Sequence, residues 1–128
     1  MKIYNGIDIC VIDRVAATHK KFGDKFLNRV FSSEELLEAG NIPNVNYLAK
    51  RFAAKEAFSK AIGEGIGNIA FKDISIVKNQ HGAPILNLSE TAQEYLLKSK
   101  NWLEYDIAVS LSDDGGMAIA SVVILVKF

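Results

Sequence analysis

Apolar and polar positions along the chain change period several times, and each change marks an element. From Lys2 to Ile12 the period is two, with Ile3, Ile7, Ile9 and Val11 alternating against Tyr4, Asp8 and Cys10, which predicts a strand. Asp13–Phe22 reads as a short basic helix, Gly23-Asp24 as a turn, and Lys25–Val30 as another helical piece. Ser32 or Ser33 can cap a helix through Ala39, with Glu34 and Glu35 in its first turn, where the helix dipole favours acids. Gly40-Asn41 ends that helix, and Pro43 lies in the turn before a long helix over Asn46–Ile62. Strands follow at Phe71–Lys78 and Pro84–Leu88, around a turn at Asn79–Gly82. Ser89 can cap a helix through Lys98, with Ala92, Tyr95, Leu96 and Ser99 on one side. Strands at Glu104–Ser112 and Met117–Phe128 flank Asp113-Asp114-Gly115-Gly116, a strong hairpin signal. This mixture implies an α+β fold, an antiparallel sheet packed on a long central helix.

The long helix leads into Lys50–Gly67, KRFAAKEAFSKAIGEGIG. On a helical wheel Ala53, Ala54, Ala57, Phe58, Ala61 and Ile62 share one arc, the spacing of a core-facing helix. The opposite arc carries Phe52, Lys55, Glu56, Ser59 and Lys60. Glu56 and Lys60 are four apart with the acid first, the favourable order for a helical ion pair. Gly63, Gly65 and Gly67 suit a helix stop and a backbone that something can approach closely. Asp8 is an acid in mid-strand, flanked by Ile7 and Ile9. Either it faces solvent on an edge strand, or it is a metal ligand beside a second placed carboxylate. The C-terminal VVILVKF is too apolar for a strand with one wet face. Either that strand is central in its sheet or another subunit covers it.

Composition narrows the class. A chain of 128 residues with 49% apolar residues predicts one folded domain, 1–128. No apolar run of membrane-spanning length occurs, and the N-terminus lacks a signal-peptide layout. Cys10 is the only cysteine, which fits a reducing cytoplasm; no Cys/His spacing suits zinc. Formal net charge is zero, which gives no indication of nucleic-acid binding. The charge is unevenly spread, however. Arg14, His19, Lys20, Lys21, Lys25 and Arg29 face only one acid, Asp24, over that span. This is either a solvated helix face or a docking face for an acidic protein.

FAAKEAFSKAIGEGIG resembles the F-x-x-K-E-A-x-x-K-A-hydrophobic-G signature of the phosphopantetheinyl transferases, and the chain length points to the holo-acyl carrier protein synthase branch. GIDICVIDRV at Gly6–Val15 is similar to that family's other motif, a Gly-x-Asp strand ending in an arginine. FSSEEL at Phe31–Leu36 and HGAP at His81–Pro84 fall where the family has similar segments. The resemblance implies transfer of 4′-phosphopantetheine from coenzyme A to a serine of apo-acyl carrier protein, in support of fatty acid biosynthesis. It implies Mg²⁺ held by Asp8 and Glu56, Lys60 on a phosphate oxygen, and Glu56 assisting serine deprotonation directly or through water. It implies coenzyme A along Gly63, Gly65 and Gly67 and near Arg51 and Pro84. It also implies a homotrimer with active sites between subunits, and an acidic acyl carrier protein docked on Arg14, Lys21 and Lys25.

The chain departs from the family pattern at three places. Tyr4 stands where an earlier glycine is usual, Val11 where a glutamate is, and Ala108 where many members have a histidine before Val-Ser. Ser110 or Ser112 could support coenzyme A instead. The alternative reading is a coenzyme A or nucleotide-bisphosphate binding module without turnover; a third is an α+β domain whose basic helix binds an acidic partner.

Overall fold

The computed structural model describes residues 1–64 and 67–128. In chain order the elements are β1 (Lys2–Val11), α1 (Ile12–Phe22), α2 (Asp24–Val30), α3 (Ser33–Ala39), α4 (Val45–Ala61), a 3₁₀ turn (Phe71–Asp73), β2 (Ile74–Lys78), β3 (Pro84–Leu88), α5 (Glu90–Lys100), β4 (Glu104–Asp114) and β5 (Met117–Lys127). The α+β architecture follows the expectation, but the strands divide into two antiparallel sheets, β1-β5-β4 and β2-β3. The strand expected from Phe71 starts three residues later. The Phe71 carbonyl accepts from Lys55 and the Asp73 N–H turns back to the Ala70 carbonyl, so the chain is still in a 3₁₀ turn there, although the Asp73 carbonyl already accepts the Ser89 N–H in register with β3. Among the described residues no helix is long and apolar enough to cross a membrane.

Local chemistry explains the element ends. Ser32, rather than Ser33, caps α3: its Oγ accepts the Glu35 N–H while the Glu35 carboxylate accepts the Ser32 N–H, a reciprocal capping box. The Asn44 side chain accepts from the N–H groups of Asn46 and Tyr47 at the start of α4, and Ser89 caps α5 through Ala92. The β4–β5 hairpin turns on Gly115 and Gly116, with φ of 56° and 79°, a geometry that side-chained residues resist.

Helix α4 packs against the three-stranded sheet through Ala53, Ala54, Ala57, Phe58 and Ala61, all buried. Small side chains let helix and strand approach, and Gly6 on β1 takes this to its limit. A Cβ there would stand 2.0 Å from the Ala57 carbonyl oxygen and 2.7 Å from the Ala61 nitrogen. The even-numbered residues of β1 therefore face the helix, and the odd ones face out. Ile3, Ile7 and Ile9 are more than half exposed, with Val123 and Leu125 of the central strand β5 on the same outer face. The C-terminal run is thus central in its sheet and still leaves an apolar face uncovered within the chain.

The expected polar arc of α4 is only partly polar in surroundings. Lys55 is fully buried and Ser59 nearly so, because α3 and β2 cover this side of the helix. Lys55 Nζ pairs with Glu35 Oε1 at 2.6 Å and also donates to the Phe71 and Ile74 carbonyls. Burial pulls the Lys55 ammonium below its usual pKa, and the Glu35 carboxylate opposes that shift. The other Glu35 oxygen accepts the Ile76 N–H at 3.0 Å. Removing one partner of such a pair strands the other in a dry site. Lys55→Met should therefore destabilise the fold by about 3–5 kcal/mol in urea unfolding. Adding Glu35→Leu removes the stranded charge but leaves the Ile74 carbonyl and Ile76 amide orphaned, so about 1–3 kcal/mol per group should remain lost. A double variant as stable as the parent would show that these backbone groups do not need the pair.

Candidate active site

Asp8 lies two residues beyond Gly6 and so on the same face of β1. The close strand–helix approach carries its carboxylate to α4, where Lys60 Nζ donates to Asp8 Oδ1 at 2.9 Å and to the Ile7 carbonyl at 3.2 Å. The Asp8 side chain is only 15% exposed, so it is not a solvent-facing acid, although β1 is an edge strand. Glu56 stands one helical turn before Lys60, but the ion pair of Lys60 runs across elements to Asp8 rather than along the helix to Glu56.

Asp8 and Glu56 line one open groove of about 450 Å³. Burial pushes the Glu56 carboxyl above its ordinary pKa; the nearby Asp8 charge adds to this and Lys60 partly offsets it. A carboxyl whose proton affinity is raised in part by a neighbouring carboxylate marks excess negative charge for a cation to neutralise. Among the described residues no third His, Cys, Asp or Glu joins them in a metal-ligating group. An all-oxygen pair with open positions suits a hard ion that keeps water and takes phosphate oxygens, as Mg²⁺ does, and not zinc. Arg14 stands at the groove, and Val15, Phe26 and Phe52 form apolar walls. Cys10 lines it as well, its thiol pushed up chiefly by burial and bonded to the Ala49 carbonyl.

The structure does not bring every candidate into this groove. Arg51 and Pro84 line a second one of about 340 Å³, with Lys50, Lys78 and Ser110. Exposed Ala108 is two residues from Ser110 on β4; Ser112 does not line that groove. Of the glycines, Gly63 has φ of 76°, and a Cβ on Gly63 or Gly67 would meet nothing, so crowding selects neither. Gly65 lies outside the described residues. Between them Glu64 accepts from the Tyr95 hydroxyl at 2.6 Å and pairs with Lys100, which fastens the end of α4 to α5.

Arg14, Lys21 and Lys25 are all exposed on α1 and α2. Lys25 and Arg29 also line a groove of about 420 Å³ with Phe22 and Phe26. The sequence reading counted Arg29 as a charge but missed the aromatic rings beside it. A half-exposed Phe22 within a basic helix was the available signal. Phe52 was missed because it was placed on the polar arc of α4. Glu38 and Tyr47 had no signal, and Glu35 was legible only as a first-turn acid, since its partners Lys55 and Ile76 are far along the chain.

A family model described as the 4′-phosphopantetheinyl transferase superfamily matches residues 5–114. The holo-[acyl-carrier-protein] synthase of Campylobacter hominis is 40% identical over 126 residues, covering 93% of this chain and 94% of its own. The crystal structure of the Neisseria meningitidis holo-[acyl-carrier-protein] synthase superposes with a TM-score of 0.84 at 38% identity, covering 95% of this chain and 97% of that one. The Helicobacter pylori synthase in complex with coenzyme A gives 0.79 at 37% identity, covering 96% and 99%. Both motifs, Gly6–Val15 and the one centred on Glu56, lie inside the matched span, and the chain belongs to the 4′-phosphopantetheinyl transferase superfamily.

Proposed function

We propose that this chain transfers the 4′-phosphopantetheine group of coenzyme A to a serine of an apo-acyl carrier protein, in support of fatty acid biosynthesis in the cytoplasm. The observation that carries the reading is the convergence of Asp8, Glu56 and Lys60 where β1 crosses α4. The relatives that match almost the whole chain bear the corresponding name. In the reaction the serine oxygen attacks the β-phosphorus of coenzyme A, the diphosphate P–O bond breaks, and adenosine 3′,5′-bisphosphate leaves. Attacking and leaving groups are both anionic or become so, which makes charge neutralisation and alignment the dominant demands.

Asp8 and Glu56 would hold Mg²⁺, whose bound form neutralises phosphate charge and polarises the reacting phosphorus. Lys60 can turn from Asp8 to a phosphate oxygen, since its ammonium is more than half exposed. Glu56, with its raised proton affinity, is placed to take the serine proton directly or through one water. Gly63, Gly65 and Gly67 offer a backbone for the nucleotide to lie along.

The two grooves support a site completed between subunits. The carboxylates and the Arg51–Pro84 groove share no lining residue, which supports a site whose two halves come from neighbouring copies of the chain. The outer face of Ile3, Ile7, Ile9, Val123 and Leu125 supplies the apolar surface for that assembly, read here as a homotrimer. The whole chain, 1–128, acts as one transferase domain.

The direct test is the mass of an apo-carrier after incubation with coenzyme A and Mg²⁺. A gain of one phosphopantetheine group is expected; binding without gain would favour the binding-module alternative, for which Ala108 leaves room. Glu56→Gln should fold normally and lose most of this activity, because an amide is a poorer ligand and base, and Asp8→Asn should do likewise. Parent-like turnover of Glu56→Gln at limiting Mg²⁺ would remove Glu56 from its role.

Carrier docking is assigned to Arg14, Lys21 and Lys25, of which Arg14 lines the groove of the carboxylates. Exposed pairs contribute about 0.2–1 kcal/mol each, so single substitutions should weaken docking only slightly. Reversing all three to Glu should raise the carrier KM strongly and leave the coenzyme A KM nearly unchanged. The parent's carrier KM should itself rise with salt, as charges become screened within about 10 Å. Unchanged carrier kinetics in the triple variant at low salt would move the docking face elsewhere.

A further inference from the structure

Arg51 lines the second groove although only 3% of it is exposed, and its guanidinium is fixed from three sides. Nε donates to the Ile76 carbonyl at 3.2 Å, Nη2 donates to Glu38 Oε1 at 3.3 Å, and Cζ lies 3.8 Å from the centre of the Tyr47 ring. Glu38 is itself fixed: Oε1 also accepts the Tyr47 hydroxyl at 2.8 Å and Oε2 accepts the Lys78 N–H at 2.9 Å. Burial, with the Glu38 bond next, pushes the Tyr47 phenol far above its usual pKa, so it stays a neutral donor. Among the described residues, Nη1 of Arg51 has no hydrogen-bond partner.

We propose that Glu38 and Tyr47 are positioning residues that fix the Arg51 guanidinium so that Nη1 alone is presented to the second groove, where it receives a phosphate oxygen of coenzyme A. This rests on the reading that the groove holds part of coenzyme A. Two physical effects of Glu38 compete here. As a bare charge beside Arg51 it would repel an incoming phosphate. As an anchor it keeps a long, flexible side chain in one geometry and removes the ordering cost from binding. Three donors, from Arg51, Tyr47 and Lys78, already neutralise the Glu38 carboxylate, so its field on the ligand is weak and the anchoring effect dominates.

The two effects have opposite signs, which makes the test sharp. Glu38→Gln removes the charge: repulsion alone would lower the KM for coenzyme A, whereas loss of positioning should raise it about three- to tenfold. The kcat and the carrier KM should stay within about twofold, a split that general destabilisation would not produce. Tyr47→Phe keeps the ring under Arg51 and removes only the hydroxyl's bond to Glu38, so it should raise the coenzyme A KM less than Glu38→Gln, while Tyr47→Leu should raise it as Glu38→Gln does. Calorimetry with adenosine 3′,5′-bisphosphate should show the same order of weakening without turnover. An unchanged or lowered coenzyme A KM in folded Glu38→Gln overturns the positioning role. Arg51→Met separates this from the underlying reading: if it also leaves the coenzyme A KM unchanged, the groove does not hold coenzyme A. If Arg51→Met raises that KM and neither Glu38→Gln nor Tyr47→Leu does, only the positioning role falls.

Discussion

The free edge of β2 is the constraint from which much of the molecule follows. β3 pairs with one edge of β2; the other edge would leave the Ile74 carbonyl, both groups of Ile76 and the Lys78 N–H unpaired. Lys55, Glu35, Arg51 and Glu38 take these four groups in turn. Two acids one turn apart on α3 and two cations one turn apart on α4 thus stand in for a missing strand. Each acid also pairs with a cation, at 2.6 Å for Glu35–Lys55 and 3.3 Å for Glu38–Arg51. Buried charges are costly unless fully bonded, and here each oxygen or nitrogen that bonds the strand is also electrostatically matched.

Helix α4 is consequently fixed on two sides, by this charged lattice and by the close contact of Ala57 with Gly6. Its rotation is set, and the residues between these contacts have determined directions. Glu56 and Lys60 face Asp8 on β1, while Arg51 faces the second groove. The motif spacing K-E-x-x-x-K therefore combines a buried structural lysine, an acid in the groove shared with Asp8 and an exposed cation. Adjacent Lys55 and Glu56 serve different sides of one helix, about 100° apart.

The element order and the α+β class were legible because local signals agreed with tertiary needs: caps at Ser32 and Ser89, glycines at the hairpin, and period-two strands. The Asp8–Glu56–Lys60 cluster was legible only through the resemblance, since no local rule turns a strand acid toward a distant helix. Burial was misjudged where polar residues meet partners remote in sequence. Lys55 contacts Glu35, Phe71 and Ile74, and a helical wheel contains none of those neighbours. The same limit applied to β1: its isoleucines follow a strand pattern, but Gly6 and Asp8 face the helix, and that choice is made by Ala57. The division into two sheets was invisible because it falls between β3 and β4, which lie beside each other without forming a ladder.

The central claim is that one chain carries two separate halves of a site, and that a neighbouring copy joins them. Subunit exchange between two variants tests it most directly. Glu56→Gln disables the first groove and Arg51→Met the second, each crippled alone at sub-saturating coenzyme A. In a ring whose sites each take one groove from either neighbour, random mixing in equal amounts restores both grooves at about one quarter of the boundaries. Transfer activity measured before and after exchange should therefore rise well above either variant alone. Activity that stays at the mean of the two, with exchange verified by mass spectrometry of the intact assembly, would contradict the account.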